Sequence, residues 1–215
     1  AGVPYAPWCA NEACTLFAPV DGEIILPPGV TADEIQTAID NAPEGTKIVV
    51  PAGTYNFAGG YHIDKPHLMI TLLDGVVIQN SSPCFTINAD YTTINTQSIG
   101  GAKCIPTGNA HGINVPAARV DVTIAGLEID GTDQSTGSGI HFGGTIKDVM
   151  IVDNKIHDLD GDGLHFTSAP TGFLSVQGNL FKDNTGVGVS SPADLDVKFN
   201  SWGHKDGPTS GDDVA

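Results

Sequence analysis

The chain of 215 residues sets nine Lys and Arg against 25 Asp and Glu, a formal net charge of −16, and its one arginine is Arg119. Such a surface repels phosphate backbones and anionic membranes, which excludes nucleic acid as a partner and admits polyanionic glycans only through bridging cations. The 27 glycines and 14 prolines mean frequent turns, yet 40 % hydrophobic residues is too apolar for a disordered acidic chain, so a packed core is expected.

From the N-terminus, the chain begins at Ala1 without Met, as expected of a secreted chain whose signal peptide has been removed. No apolar run approaches the roughly 18 residues that a membrane span needs; the longest, 68–78, is broken by Thr71, Asp74 and Gly75. Residues 1–30 read as an extension without helical or solenoid periodicity, one that folds back on the first rungs or reaches a neighbouring copy. Cys9 and Cys14 lie inside it, and Cys84 and Cys104 flank a loop-rich stretch further on. Neither spacing fits a zinc ribbon or a redox CxxC, so the expectation is two disulfides, Cys9–Cys14 and Cys84–Cys104, with four thiols as the alternative.

Thr31 and Glu34 form a capping box, and Ile35, Ala38, Ile39 and Ala42 make an apolar helical stripe that stops before Pro43. This predicts one short helix over 32–42 that covers the open end of the adjoining body. Beyond it the chain alternates: Ile48 and Val50, then Leu68, Ile70 and Leu72, then Val76 and Ile78, Phe85 and Ile87, Thr92 and Ile94.

Past residue 110 the alternation becomes a repeat. Gly-Ile-Asn-Val at 112–115, Gly-Ile-His-Phe at 139–142, Gly-Leu-His-Phe at 163–166 and Gly-Val-Gly-Val at 186–189 align at steps of 27, 24 and 23 residues. Each is followed by a second alternating run, at 122–124, 149–151, 174–176 and 195–197. A third comes at 127–129, 154–156, 179–181 and 200–202. Three short strands per turn of about 21–28 residues are the mark of a parallel β-helix, whose rungs stack at about 4.8 Å. Alternation then points Ile113, Val115, Ile140, Phe142, Leu164, Phe166, Val187 and Val189 inward. Asn154, Asn179 and Asn200 share the inward side with Ile156, Phe181 and Trp202, as a stack of amides able to satisfy one another.

The passage from Ile-Gln-Thr-Ala-Ile at 35–39 to Ile-Val-Val-Pro-Ala-Gly-Thr-Tyr at 48–55, together with these rungs, resembles the right-handed parallel β-helices of the pectate-lyase-like superfamily over about 31–202. The end, Asn-Ser-Trp-Gly-His-Lys-Asp-Gly-Pro at 200–208, resembles the Asn-x-Trp-Gly…Gly-Pro element of β-helix segments in large bacterial surface proteins. The resemblance implies an all-β, right-handed parallel β-helix over 31–208 with a short N-terminal capping helix, followed by a tail at 209–215.

Outward positions of the first strand give the column Asn114, His141, His165 and Gly188, with the turn Asp158-Leu-Asp160-Gly-Asp162 opening beside it. Histidines on adjacent rungs sit about 5 Å apart, so His141 and His165 with Asp160 and Asp162 are candidates for acid/base work. Asp158, Asp160 and Asp162 are candidate ligands for Ca²⁺. The bland alternative is an imidazole stack beside a turn that uses Asp and Gly for their conformations. Glu128 and Lys155 read as a cross-strand pair, and His111, His157 and His204 as solvated turn imidazoles.

The catalytic patterns of the resembled superfamily do not map. Arg119 is remote from the acidic turn, the Asn-Thr-Asp, Asp-Asp and Gly-His-Gly set of the hydrolases is missing, and Asp162-Gly-Leu-His165 matches the epimerase Asp-x-His only in kind. The expected function is therefore a secreted or surface-bound structural or adhesive module that contacts copies of itself or an extracellular glycan, with no cofactor required. A polysaccharide lyase or epimerase is the alternative.

Overall fold

The computed structural model of the chain describes residues 22–133 and 136–203. In chain order the elements are β1 (Gly22–Ile25), α1 (Ala32–Asn41), β2 (Thr46–Val50), β3 (Gly53–Tyr55), β4 (Tyr61–Ile63), β5 (Met69–Leu72), β6 (Val76–Asn80), β7 (Phe85–Ile87), β8 (Thr92–Thr96), β9 (Lys103–Pro106) and β10 (Ile113–Val115). There follow β11 (Arg119–Ala125), β12 (Glu128–Asp130), β13 (Ile140–Phe142), β14 (Ile146–Val152), β15 (Lys155–His157), β16 (Leu164–Phe166), β17 (Thr171–Gln177), β18 (Leu180–Lys182) and β19 (Val189–Ser190).

Every pairing is parallel, and the strands sort into three sheets that make a β-solenoid of about seven turns. Sheet A runs β1-β2-β5-β8-β11-β14-β17, sheet B runs β3-β6-β9-β12-β15-β18, and sheet C runs β4-β7-β10-β13-β16-β19. Register follows apolar alternation, because a slip of one residue would turn a core column out to solvent. Ile24, Ile48, Ile70, Ile94, Ile124, Ile151 and Val176 stack in one column of sheet A. In sheet C, Phe142 and Phe166 stack face to face at 4.9 Å.

The amide ladder forms as the spacing predicts. Asn179 Oδ1 accepts from the Asn154 N–H and Nδ2, each at 3.0 Å, and Asn200 Oδ1 accepts from the Asn179 N–H at 2.9 Å and Nδ2 at 3.0 Å. Asn179 is fully buried with its polar atoms bonded, so the column adds no unpaired dipole to the core.

Helix α1 begins at the predicted capping box: the Thr31 N–H donates to Glu34 Oε2 at 2.8 Å, and the Glu34 N–H to Thr31 Oγ1 at 3.3 Å. Its Ile35 and Ile39 are buried and seal the first rung. Gln36 does more than pack: its Oε1 accepts from the His62 N–H at 2.9 Å and its Nε2 donates to the His62 carbonyl at 3.0 Å, pairing the edge strand β4 as a neighbouring strand would.

The structure bears on three further expectations. Residues 22–25 pair with β2, so this part of the 1–30 segment folds back on the first rung, one of the two alternatives for it. Residues 195–197 form no strand, although Leu195 and Val197 still pack against the core. The Cys84–Cys104 disulfide, with Cα atoms 6.0 Å apart, lies fully buried inside the solenoid. It forms as expected and joins the sheet B core column at Cys104 to the entry of β7, so it staples the interior. The proposed Cys9–Cys14 pair, Trp8, His204 and the tail lie outside the described residues.

Candidate functional site

The three sheets present different outer faces. On sheet C the register His62↔Thr86↔Asn114↔His141↔His165↔Ser190 places one hydrogen-bonding side chain on each rung. Their inward neighbours, such as Ile113, Val115, Ile140 and Phe142, are fully buried, so the polar members lie on the outer face, with Thr86 buried there.

The column ends on Ser190, not on the expected Gly188. Gly188 instead continues the glycine column Gly112, Gly139 and Gly163 that leads into these strands. A Cβ on Gly112 would lie 2.5 Å from the Gly139 carbonyl oxygen, and one on Gly163 would lie 2.6 Å from that of Gly188. Close approach of the rungs selects glycine there, which puts Val189 opposite Leu164.

At the centre of the face three imidazoles stack. His111 joins from the turn before β10 at 4.2 Å from the His141 ring, and His141 lies 5.5 Å from His165. His111 is thus a member of the site and not a solvated turn residue; its Nδ1 accepts from the Ser138 N–H at 2.9 Å. His141 Nδ1 donates to Asn114 Oδ1 at 2.9 Å, which leaves Nε2 to accept from the Thr167 hydroxyl at 3.3 Å. Burial, then the charges of His111 and His165, push the His141 imidazole down to about 4, so it is neutral at ordinary pH. Burial and His165 also lower His111.

His165 differs from its neighbours. Its Nδ1 donates to Asp162 Oδ2 at 2.7 Å, and Asp162 Oδ1 accepts from the Val187 N–H at 3.0 Å, so a fixed carboxylate orients the ring. Of the residues expected to act together, the structure joins His141, His165 and Asp162 and leaves Asp160 exposed on the turn. The suggested cation ligands separate in the same way: Asp162 serves His165, Asp158 serves His157 at 2.5 Å, and Asp160 serves neither.

Sheet B carries charge instead. Lys103, Glu128 and Lys155 occupy one outward column, and the Asp130 and His157 positions pair in the next. Glu128 Oε1 accepts from Lys155 at 2.7 Å, His157 Nε2 at 2.9 Å and Lys103 at 3.3 Å, while Lys103 also reaches Asp130 at 3.0 Å. His157 is 8 % exposed, and both of its ring nitrogens face carboxylate oxygens, so it is a buried member of a network and not a solvated turn residue. Burial would raise the Glu128 carboxyl, but hydrogen bonds from Lys155 and His157 and the Lys103 charge hold it below the usual range. Asp130, although burial opposes it, is held down at about 2 by Thr132 and Lys103.

Glu128, Asp130 and His157 lie close enough to share a cation, with ligand atoms within 4.8 Å of one another. Two ammonium groups already bond those oxygens, so the cluster is a closed ion network. Among the described residues no helix is long and apolar enough to cross a membrane. No protein-family model matches the chain, and neither a curated protein nor a solved structure matches it.

Proposed function

We propose that the chain is a secreted or surface-bound structural module of the pectate-lyase-like β-helix kind that holds an uncharged extracellular glycan along sheet C. The observation that carries this reading is the polar column from His62 to Ser190, one hydrogen-bonding side chain per rung with Thr86 buried among them, on a chain whose net charge is −16. A repeating polymer of hydroxyl groups is the ligand that a repeating row of amide, hydroxyl and imidazole groups at about 4.8 Å intervals suits. The flat imidazole edges add contact area at little entropic cost, and the absence of paired cations on this face disfavours an acidic polymer. The buried Cys84–Cys104 disulfide fits an oxidising compartment.

Affinity electrophoresis or calorimetry against neutral, acidic and aminated polysaccharides tests the reading. A neutral polymer should bind, and Asn114→Ala with His141→Ala should weaken it at least tenfold while the far-ultraviolet spectrum stays unchanged. Failure of all three polymer classes to bind, or tighter binding of the acidic class, overturns it.

A second reading, a glycan-active lyase or epimerase, is favoured by Asp162 and His165 alone. Asp162 would position His165, and His165 Nε2 would take a proton from the sugar. Loss of product formation in His165→Ala, with binding retained, would separate this reading from the first.

A further inference from the structure

Two histidines on neighbouring strands of sheet C are prepared for more than contact with a sugar. His141 Nδ1 faces the Asn114 amide oxygen at 2.9 Å, and His165 Nδ1 faces Asp162 Oδ2 at 2.7 Å. An amide oxygen and a carboxylate can only accept, so each ring carries its proton on Nδ1 and keeps a lone pair on Nε2. The Thr167 hydroxyl meets the His141 lone pair at 3.3 Å, and among the described residues no hydrogen bond reaches that of His165. Burial keeps the His141 ring neutral at ordinary pH.

Imidazole binds a metal ion in this form: one nitrogen unprotonated, the other N–H held by an oxygen that fixes the tautomer and the ring. The two rings are register partners on adjacent rungs, with centres 5.5 Å apart and planes 26° from parallel. Two metal–nitrogen bonds of about 2.1 Å at a tetrahedral angle set the nitrogens about 3.4 Å apart. Both side chains are partly exposed, that of His165 by 33 %, so a small rotation of each ring closes the gap. His111 stacks on His141 at 4.2 Å but does not qualify, because its Nδ1 accepts the Ser138 N–H and its proton therefore sits on Nε2.

The donor set also selects the ion. Ca²⁺ asks for six or more oxygens, whereas the carboxylate here, Asp162, already accepts from His165 and from the Val187 N–H at 3.0 Å. Imidazole nitrogens suit zinc, nickel and copper, and the net charge of −16 raises the concentration of any cation near the surface. We infer that His141 and His165 bind one divalent transition-metal ion through their Nε2 atoms, with Asn114 and Asp162 as positioning residues and water at the remaining positions. The ion displaces the Thr167 hydroxyl from His141, and its binding does not depend on the glycan reading.

Calorimetric titration of the full chain with Zn²⁺, Ni²⁺ and Ca²⁺ chlorides, at neutral pH and without glycan, tests this. Zn²⁺ should bind once per chain and more tightly than Ca²⁺, and His141→Ala and His165→Ala should each weaken it at least tenfold. Asp162→Asn is the sharper variant. Its amide oxygen stays on the Val187 N–H, so its NH₂ faces His165 Nδ1, which must then accept; the ring proton moves to Nε2 and blocks the ligand atom. That should also weaken Zn²⁺ at least tenfold while the far-ultraviolet spectrum stays unchanged. Glu128→Gln, in the sheet B cluster, should leave Zn²⁺ binding as it is. Nitrogen resonances of the unmodified chain give a reading free of any variant, since Zn²⁺ should shift Nε2 of His141 and His165. No Zn²⁺ binding, Ca²⁺ binding as tight as Zn²⁺, binding that survives His165→Ala, binding lost in Glu128→Gln, or unmoved Nε2 resonances would each overturn the inference.

Discussion

Sheets B and C belong to the same solenoid and stack at the same spacing, yet they solve the problem of adjacent polar side chains in opposite ways. Sheet B alternates sign up the column, Lys103, Glu128, Lys155, so that each charge finds its partner on the next rung. Sheet C carries no alternating charges in its column; it stacks rings and passes hydrogen bonds from His141 to Asn114 and from Thr167 to His141. A like-charged column at rung spacing would be self-repelling, so each face uses one of the two available escapes. The consequence is functional. Glu128 Oε1 accepts from Lys103, Lys155 and the His157 ring, which closes sheet B, whereas the ring edges of sheet C remain at the surface for a ligand.

The two faces should differ most when their hubs are removed. Glu128 is 13 % exposed in its side chain and serves Lys103, Lys155 and His157. Glu128→Ala leaves those three donors without their common acceptor and should cost about 2 kcal/mol of unfolding free energy. Asn114→Ala on sheet C removes one neutral hydrogen bond, from His141, and should cost about 1 kcal/mol. Urea unfolding of both variants at neutral pH measures the contrast; equal losses would mean that the network on sheet B is no stronger than a neutral pair. Sign also matters. Because Glu128 is depressed from 4.5, its contribution is present above that pH and fades as the carboxyl protonates below it.

Much of this architecture is legible in the sequence, and the failures have physical causes. Alternation around Ile113, Ile140 and Leu164 is enough to place Asn114, His141 and His165 in one outward column, since side-chain direction in a strand has period two. The ladder Asn154, Asn179, Asn200 reads in the same way, although its steps of 25 and 21 residues differ, because turns absorb the difference. Ser190 was hidden because both Gly186 and Gly188 head plausible strands, and only the approach of backbones decides between them. His111 was hidden because it enters the stack from a turn, where alternation carries no information. His157 met its two carboxylates from opposite directions, one adjacent in sequence and one 29 residues earlier, a coincidence that no local pattern announces.

Acid separates the two faces again. His141 is a base whose folded value, about 4, lies below its ordinary 6.5. The unfolded chain therefore binds its proton first, so the stability it contributes is complete above about pH 6.5 and is lost as pH falls toward 4. Screening by solvent at this half-exposed ring limits the effect to about 1 kcal/mol. Thermal unfolding at pH 7 and pH 5 should show the loss in the unmodified chain and a smaller loss in His141→Phe, which keeps a stackable ring that cannot be charged. An identical pH slope in both would remove His141 as the source.

The smallest expected effect isolates a charge that has neither escape. Asp121 opens the Val122 rung of sheet A with φ 56°, its Oδ2 is buried without a hydrogen-bond partner, and the Asp148 carboxylate stands on the next rung. Burial, then Asp148, push its carboxyl up to about 6, with His67 opposing. A carboxyl raised in the folded chain favours folding below its ordinary value of 3.8, and that advantage is lost as pH rises through about 6. Asp121→Asn keeps a side chain that tolerates positive φ and removes the charge. It should therefore gain about 0.5 kcal/mol at pH 7, where the buried charge is present, and nothing at pH 3.5, where Asp121 is already neutral. The gain should appear between about pH 4 and pH 6 and stay level above. A gain of the same size at pH 3.5 would assign the effect to backbone preference, and a loss at pH 7 would mean that the carboxylate has a partner that offsets its burial.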